Sequence, residues 1–286
     1  MAGTFPNDFY EMEPLGDSRF SVGVPITADA ELKRRIMGAI KSYYHGTSVD
    51  RVIKKFGARW TFSEPNSDQL FVTKTLKCTA RAVEQVVLAI QNGEPRPDHS
   101  GLLAAEVALV RLRPTFRSAL ILISQAYAFE AAAVVRLILE QVSWAYSVRS
   151  LQDEKSISRV STTGAITSLK RDLPYVGPAY GYLTKRAHID ATLTSTYFKA
   201  STDGMVEIRQ QMSAASFVVL GHLLAVLAAF ERVALVTLEQ YIRIPSEPAF
   251  HKPGMTTRDH LNSAVRRLKS EHPDLSFLKE GLFLVH

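Results

Sequence analysis

Two long apolar stretches constrain this chain more than any other feature. From Ala119 to Ser147 apolar residues occur around most of a helical circumference, leaving no broad polar side to turn toward water. Ser216–Phe230, SFVVLGHLLAVLAAF, is the second such run. Helices of this kind must be enclosed by other elements, and the rest of the chain offers mainly amphipathic helical patterns. The expectation is an all-α protein, an up-and-down helical bundle with its core around residues 115–150 and 205–241. No segment carries a convincing period-two alternation, and no tandem repeat is visible, so neither a sheet nor a solenoid is expected. A bilayer span needs roughly 20 apolar residues. The second run is broken by His222 and closed by Glu231 and Arg232, so it reads as a buried core helix and no membrane partner is expected.

The flanks divide on helix signals. Residues 1–26 carry Pro6, Pro14, Gly16, Gly23 and Pro25 without a helical period and read as an irregular N-terminal arm. Residues 27–99 read as an N-terminal helical appendage and linker. Its first helix is capped by Thr27 or Asp29 and ended by Gly46; a short second one is capped by Thr47 or Ser48 and stopped by Gly57. The pair has the outline of a helix-turn-helix, but Trp60, Phe62 and Pro65 follow where base-reading side chains would stand. A third helix spans Asp68 to Asn92, and GEPRPDHSG, Gly93–Gly101, is the linker. The main bundle then occupies 100–286. In it residues 102–150 hold two helices or one long one, with Pro114 placed where it could start the second; a polar helix follows from Gln152 to Asp172, and another from Ala179 through Thr196. An apolar helix covers Met205–Tyr241 and an amphipathic one Thr257–Glu271.

Composition narrows the function classes. Cys78 is the single cysteine, which excludes an internal disulfide, and no Cys/His spacing fits a zinc site. Neither a metal nor a cofactor is expected. Met1–Tyr10 lacks a basic segment followed by an apolar one, so the expected location is cytoplasmic. The net charge of +6 permits an anionic partner such as RNA without demanding it. There is no G-x-x-x-x-G-K-S/T, G-x-S-x-G, H-E-x-x-H or G-x-G-x-x-G, which removes the nucleotide, hydrolase and protease classes those motifs mark.

The informative anomaly is a charged pair within the most apolar helix. AAAVVRLILEQVSWAYS sets Arg136 and Glu140 four residues apart, on a strip with Ala132 or Ala133, Ser143 and Ser147. Buried unpaired charges cost several kcal/mol. The pair therefore joins itself and a polar group from another helix, or serves only to fix helix register. AYGYLTKRAHIDATLTS is the best supplier: Gly181, Lys185, His188 and Thr192 share one face, with Tyr182 and Arg186 on the next. Lys185 and Arg186 are candidate phosphate-binding residues, and His188, Arg136 and Glu140 are candidate catalytic residues, His188 as a general acid or base.

Arg136-x-x-x-Glu140 in an apolar helix, followed by YLTKRAH, resembles the HEPN-like helical proteins. It is similar in particular to a bacterial branch in which (L/V)(L/I)R-x3-E precedes Y-x-x-L(S/T)-x3-H. The similarity covers about residues 102–240. It implies an up-and-down bundle, homodimers and, in active members, metal-independent endoribonuclease activity in toxin–antitoxin and antiphage systems. It also implies that His188 moves a proton at the ribose 2′-hydroxyl, Lys185 or Arg186 neutralises phosphate, and Arg136, oriented by Glu140, steadies developing charge. The chain departs from active members, which carry an arginine four to six intervening residues before the histidine; Lys185 and Arg186 stand too close to His188. That spacing occurs only in RRLKSEH, where Arg266 and Arg267 precede His272. A non-catalytic interaction or dimerisation module, with a structural Arg–Glu pair and another protein as partner, is the alternative.

Overall fold

The computed structural model describes residues 12–17, 20–25, 28–62, 66–94, 99–188, 198–200, 206–208, 213–241, 255–279 and 281–283. The protein is an all-α helical bundle. It divides into two compact units, Met1–Lys77 and Cys78–His286. The division falls inside helix α3, Ser67–Gln91, whereas the glycine- and proline-rich stretch begins at Gly93.

In the first unit the supposed irregular arm contains an antiparallel hairpin, β1 (Met12–Asp17) and β2 (Phe20–Pro25), with Leu15 opposite Val22 and Asp17 opposite Phe20. Leu15 and Val24 are buried, and both strands lie on α1. Two strands alone are both edges, so Pro14 and Pro25 do not preclude pairing. Helix α1 (Ala30–His45) is capped by Asp29, whose carboxylate accepts from the Leu32 N–H at 2.7 Å, and ends in left-handed Gly46. Helix α2 (Val49–Phe56) is capped by Ser48. The other cap candidate, Thr27, lies outside the described residues.

The second unit is built around the helical hairpin α4 (Ser100–Ser124) and α5 (Ala128–Val148). Pro114 does not start a helix, because α4 runs through it. The break falls at Gln125–Tyr127, where Ala126 takes φ 60° and the N–H groups of Ala126 and Tyr127 reach back to Ile123 O and Leu122 O at 3.0 and 2.9 Å. Gly101 lies against the backbone carbonyls of Val148 and Leu151, so a side chain there has no room.

Helix α5 is central and packs on α4, α7, α8 and α9. The polar helix expected from Gln152 to Asp172 is two pieces, α6 (Glu154–Ser158) and α7 (Thr162–Asp172), because Asp153 and Ser161 each cap a new start. Helix α8 (Val176–Ala187) ends with extended His188 as its C-cap; residues 189–196, over which the helix was expected to continue, lie outside the described residues. β3 (Phe198–Ala200) pairs with β4 (Val206–Ile208), where a helix was expected to begin. Helix α9 (Ser213–Leu238) and helix α10 (Met255–Glu271) follow. Ala214–Leu238 is long and apolar enough to cross a membrane by length and composition, but 78% of its most apolar window is buried within the fold, as a core helix is. Gly221 gives α9 the space in which Leu275, from the turn Pro273–Leu275, sits against its backbone.

Candidate functional site

Arg136 and Glu140 project from α5 toward α8, one helical turn apart. Arg136 Nε donates to Glu140 Oε1 at 2.8 Å, and the two side chains retain 22% and 20% exposure. They are therefore half-buried, neither a sealed core pair nor a surface pair. The Tyr180 hydroxyl, from α8, donates to the same Glu140 oxygen at 3.1 Å, and its ring lies 5.6 Å from the Arg136 guanidinium carbon. Arg136 Nη1 then meets Nε2 of His188 at 2.7 Å. Arg136 and Glu140, neighbours on one helix, thus share a cluster at the α5–α8 surface with His188, 52 positions from Arg136.

The electrostatics follow from this wiring. Partial burial disfavours a charged Arg136, but the Glu140 carboxylate and Tyr180 hydroxyl outweigh it, and the guanidinium is held above its ordinary value. An arginine offers only donors. The contact with His188 is a hydrogen bond in the tautomer whose Nε2 presents its lone pair.

The expected phosphate pair separates. Lys185 is exposed to solvent on α8. Arg186 turns to the other side of the helix, 4.8 Å from the Tyr182 ring centre and 5.9 Å from that of Phe129. Tyr182 stacks on His222 at 4.0 Å, and His222 on Phe277 at 5.1 Å, so Arg186 caps a column joining α8, α9 and the C-terminal segment. His222 is fully buried, and neither ring nitrogen has a hydrogen-bond partner among the described residues. Burial, with Arg186 adding to it, pushes His222 down to about 3, and burial pushes Tyr182 up to about 12.

The remaining strip residues do not extend the cluster. Ser143 is buried and donates to Leu139 O of its own helix, and Thr192 lies outside the described residues. In RRLKSEH, Arg267 pairs with Glu271 at 2.8 Å and His272 rests on Phe217, so that spacing assembles no pair of arginine and histidine. Cys78 is buried in α3, and no group of three or more metal-ligating His, Cys, Asp or Glu side chains occurs among the described residues. Tyr180 is the cluster member that no charge marks in the sequence, although it stands at the first position of the Y-x-x-L motif.

Fold and site together define an all-α bundle protein bearing an Arg–Glu–Tyr–His cluster at the junction of two helices. No family model matches the chain, and no curated protein or solved structure matches it.

Proposed function

We propose that this chain is a HEPN-like helical protein of bacterial or phage-defence type that acts on RNA in the cytoplasm, as a metal-independent endoribonuclease or an RNA-binding effector. The observation that carries the reading is the convergence of Arg136, Glu140 and His188 within hydrogen-bonding distance on a half-exposed surface. In the catalytic form His188 takes the proton of a ribose 2′-hydroxyl, whose oxygen attacks the adjacent phosphorus. The 5′-oxygen leaves with a proton taken from solvent, to which His188 returns the one it took; Arg136 steadies the charge on the phosphoryl oxygens, and Glu140 and Tyr180 hold Arg136 in place. Lys185 remains in reach of solvent for a flanking phosphate; Arg186, stacked on Tyr182, is assigned no such role. The test is purified protein incubated with total RNA in the presence of chelator, wild type beside His188→Ala. Cleavage by wild type and its loss, by about a hundredfold or more, in a folded variant is expected. Intact RNA with wild type removes the nuclease.

A second reading, a dimerisation module, is favoured by the outer face of α4. Leu103, Val107 and Ile121 are 37%, 66% and 37% exposed and lie in one line along the helix. A homodimer buries this line against a second copy. Light scattering at micromolar concentration should report twice the chain mass, and Val107→Glu should return it to the monomer; a monomeric wild type ends the reading.

A further inference from the structure

The contact between Arg136 and His188 has a chemical oddity. Two groups that both favour anions face one another at 2.7 Å, and the histidine occupies the arginine as a neutral acceptor. Arg136 has five N–H bonds. One goes to Glu140 and one to His188, and the Tyr180 hydroxyl also lies against the guanidinium. Glu140 gives one oxygen to both Arg136 and Tyr180, so the guanidinium is pinned at its Nε edge while its other edge faces the imidazole.

We propose that Arg136 and His188 form an oxyanion site closed by the histidine itself, which opens when a phosphate-ester oxygen displaces Nε2 from Arg136 and the imidazole takes up a proton to become the second donor. The choice of a phosphodiester as the oxyanion rests on the RNA reading; the exchange itself does not. The charges balance. With neutral His188, Arg136 and Glu140 sum to zero; adding one phosphodiester charge and one proton on His188 leaves the sum at zero. With a diester that has no 2′-hydroxyl the proton comes from solvent and no covalent bond of the ligand changes; with RNA the ribose 2′-hydroxyl supplies it in the cleavage step.

His188 meets Arg136 of α5, which Glu140 holds at its Nε, and shares its own helix with Tyr180, Lys185 and Arg186. Of the other elements packed on α8, α7 carries Lys170, Arg171 and Asp172, and α9 carries Glu231 and Arg232. None of these has a polar contact with His188 among the described residues. Asp172 instead accepts from the Tyr146 hydroxyl. His188 itself is exposed, so its ring is free to turn away from Arg136.

The experiment uses the full chain and dimethyl phosphate, a diester whose charge is constant across the range tested. Affinity is measured by calorimetry in two buffers of different ionisation enthalpy, and the His188 ring proton is followed by NMR, assigned with His188→Gln. Binding should tighten about fivefold or more from pH about 7.5 to about 5.5, with a proton uptake equal to the slope of log affinity against pH, about a third of a proton or more averaged over that range. His188→Gln, at an exposed position, should bind with neither proton uptake nor pH dependence. Arg136→Lys should weaken binding, because a point charge replaces the fork. No binding, binding without proton uptake, or an unchanged pH response in His188→Gln overturns the proposal. A second arm with an oligoribonucleotide and its 2′-O-methyl form separates the two ideas. Proton-linked binding of dimethyl phosphate with uncut RNA ends the nuclease reading alone, and cut RNA without proton uptake ends this one alone.

Discussion

Glu140 Oε1 accepts two hydrogen bonds, from Arg136 Nε and from the Tyr180 hydroxyl, so the cluster is organised on one carboxylate oxygen. Removing it leaves Arg136 with His188 and water. A fully buried pair broken on one side loses about 3–5 kcal/mol, whereas an exposed pair is worth about 0–1. At about one-fifth exposure the cluster lies between these limits. Glu140→Ala should therefore lower unfolding free energy in urea by about 1–2 kcal/mol, and His188→Ala, at an exposed helix end, by under about 0.5 kcal/mol. A loss above about 3 kcal/mol for Glu140→Ala would place the pair in the sealed core instead.

At the scale of elements, the turn between α4 and α5 is closed by Ala126 in the left-handed region, a position that usually belongs to glycine. Nothing in SQAYA announces a helix end, and Pro114 does, so sequence signals point to the wrong residue. Tertiary packing decides otherwise: α4 tolerates an exposed proline because nine of its residues, Leu109, Leu112 and Phe116 among them, are buried on the opposite side. Ala126→Gly should stabilise the protein by about 1 kcal/mol, since glycine takes φ 60° without the Cβ penalty. A thermal melt should show a rise of a few degrees; a fall would mean that the alanine methyl packs usefully.

For the whole molecule, two groups set opposite limits on stability. His222 is held neutral by burial, with a folded value of about 3 against 6.5 when free. The unfolded state therefore binds more protons between these values, and stability that is full above 6.5 is lost as pH falls through about 3. Glu231 is half-buried on α9, and desolvation raises it from 4.5 to about 7, with Arg258 opposing. Its sign is the reverse: its contribution is full below 4.5 and lost as pH rises through about 7. Between 4.5 and 6.5 the two slopes cancel. The melting temperature should be flat there and fall on the acid side, where His222 alone accounts for about 2 kcal/mol between pH 4.5 and about 3. In His222→Phe, which keeps the stack on Tyr182 and Phe277, the acid loss should be smaller; an unchanged acid limb would show that His222 is not its source.

The sequence by itself determined the helical class and the identity of the core helices. Circumferential apolarity in residues 119–147 and 216–230 leaves burial as the only stable outcome, and the caps at Asp29, Ser48 and Gly46 are local chemistry. It also marked Arg136 and Glu140, because a charge in an apolar helix stands out and i, i+4 spacing fixes their contact. The tertiary structure decided the rest. The hairpins β1–β2 and β3–β4 are too short to carry a periodic signal, and pairing energy comes only from the partner strand. Which face of α8 meets α5 depends on how both pack against α7 and α9, so only the assembled bundle brings Tyr180 and His188 to Arg136 and turns Arg186 away to Tyr182. Residues 52 positions apart are joined by packing, and helical periodicity carries no record of it.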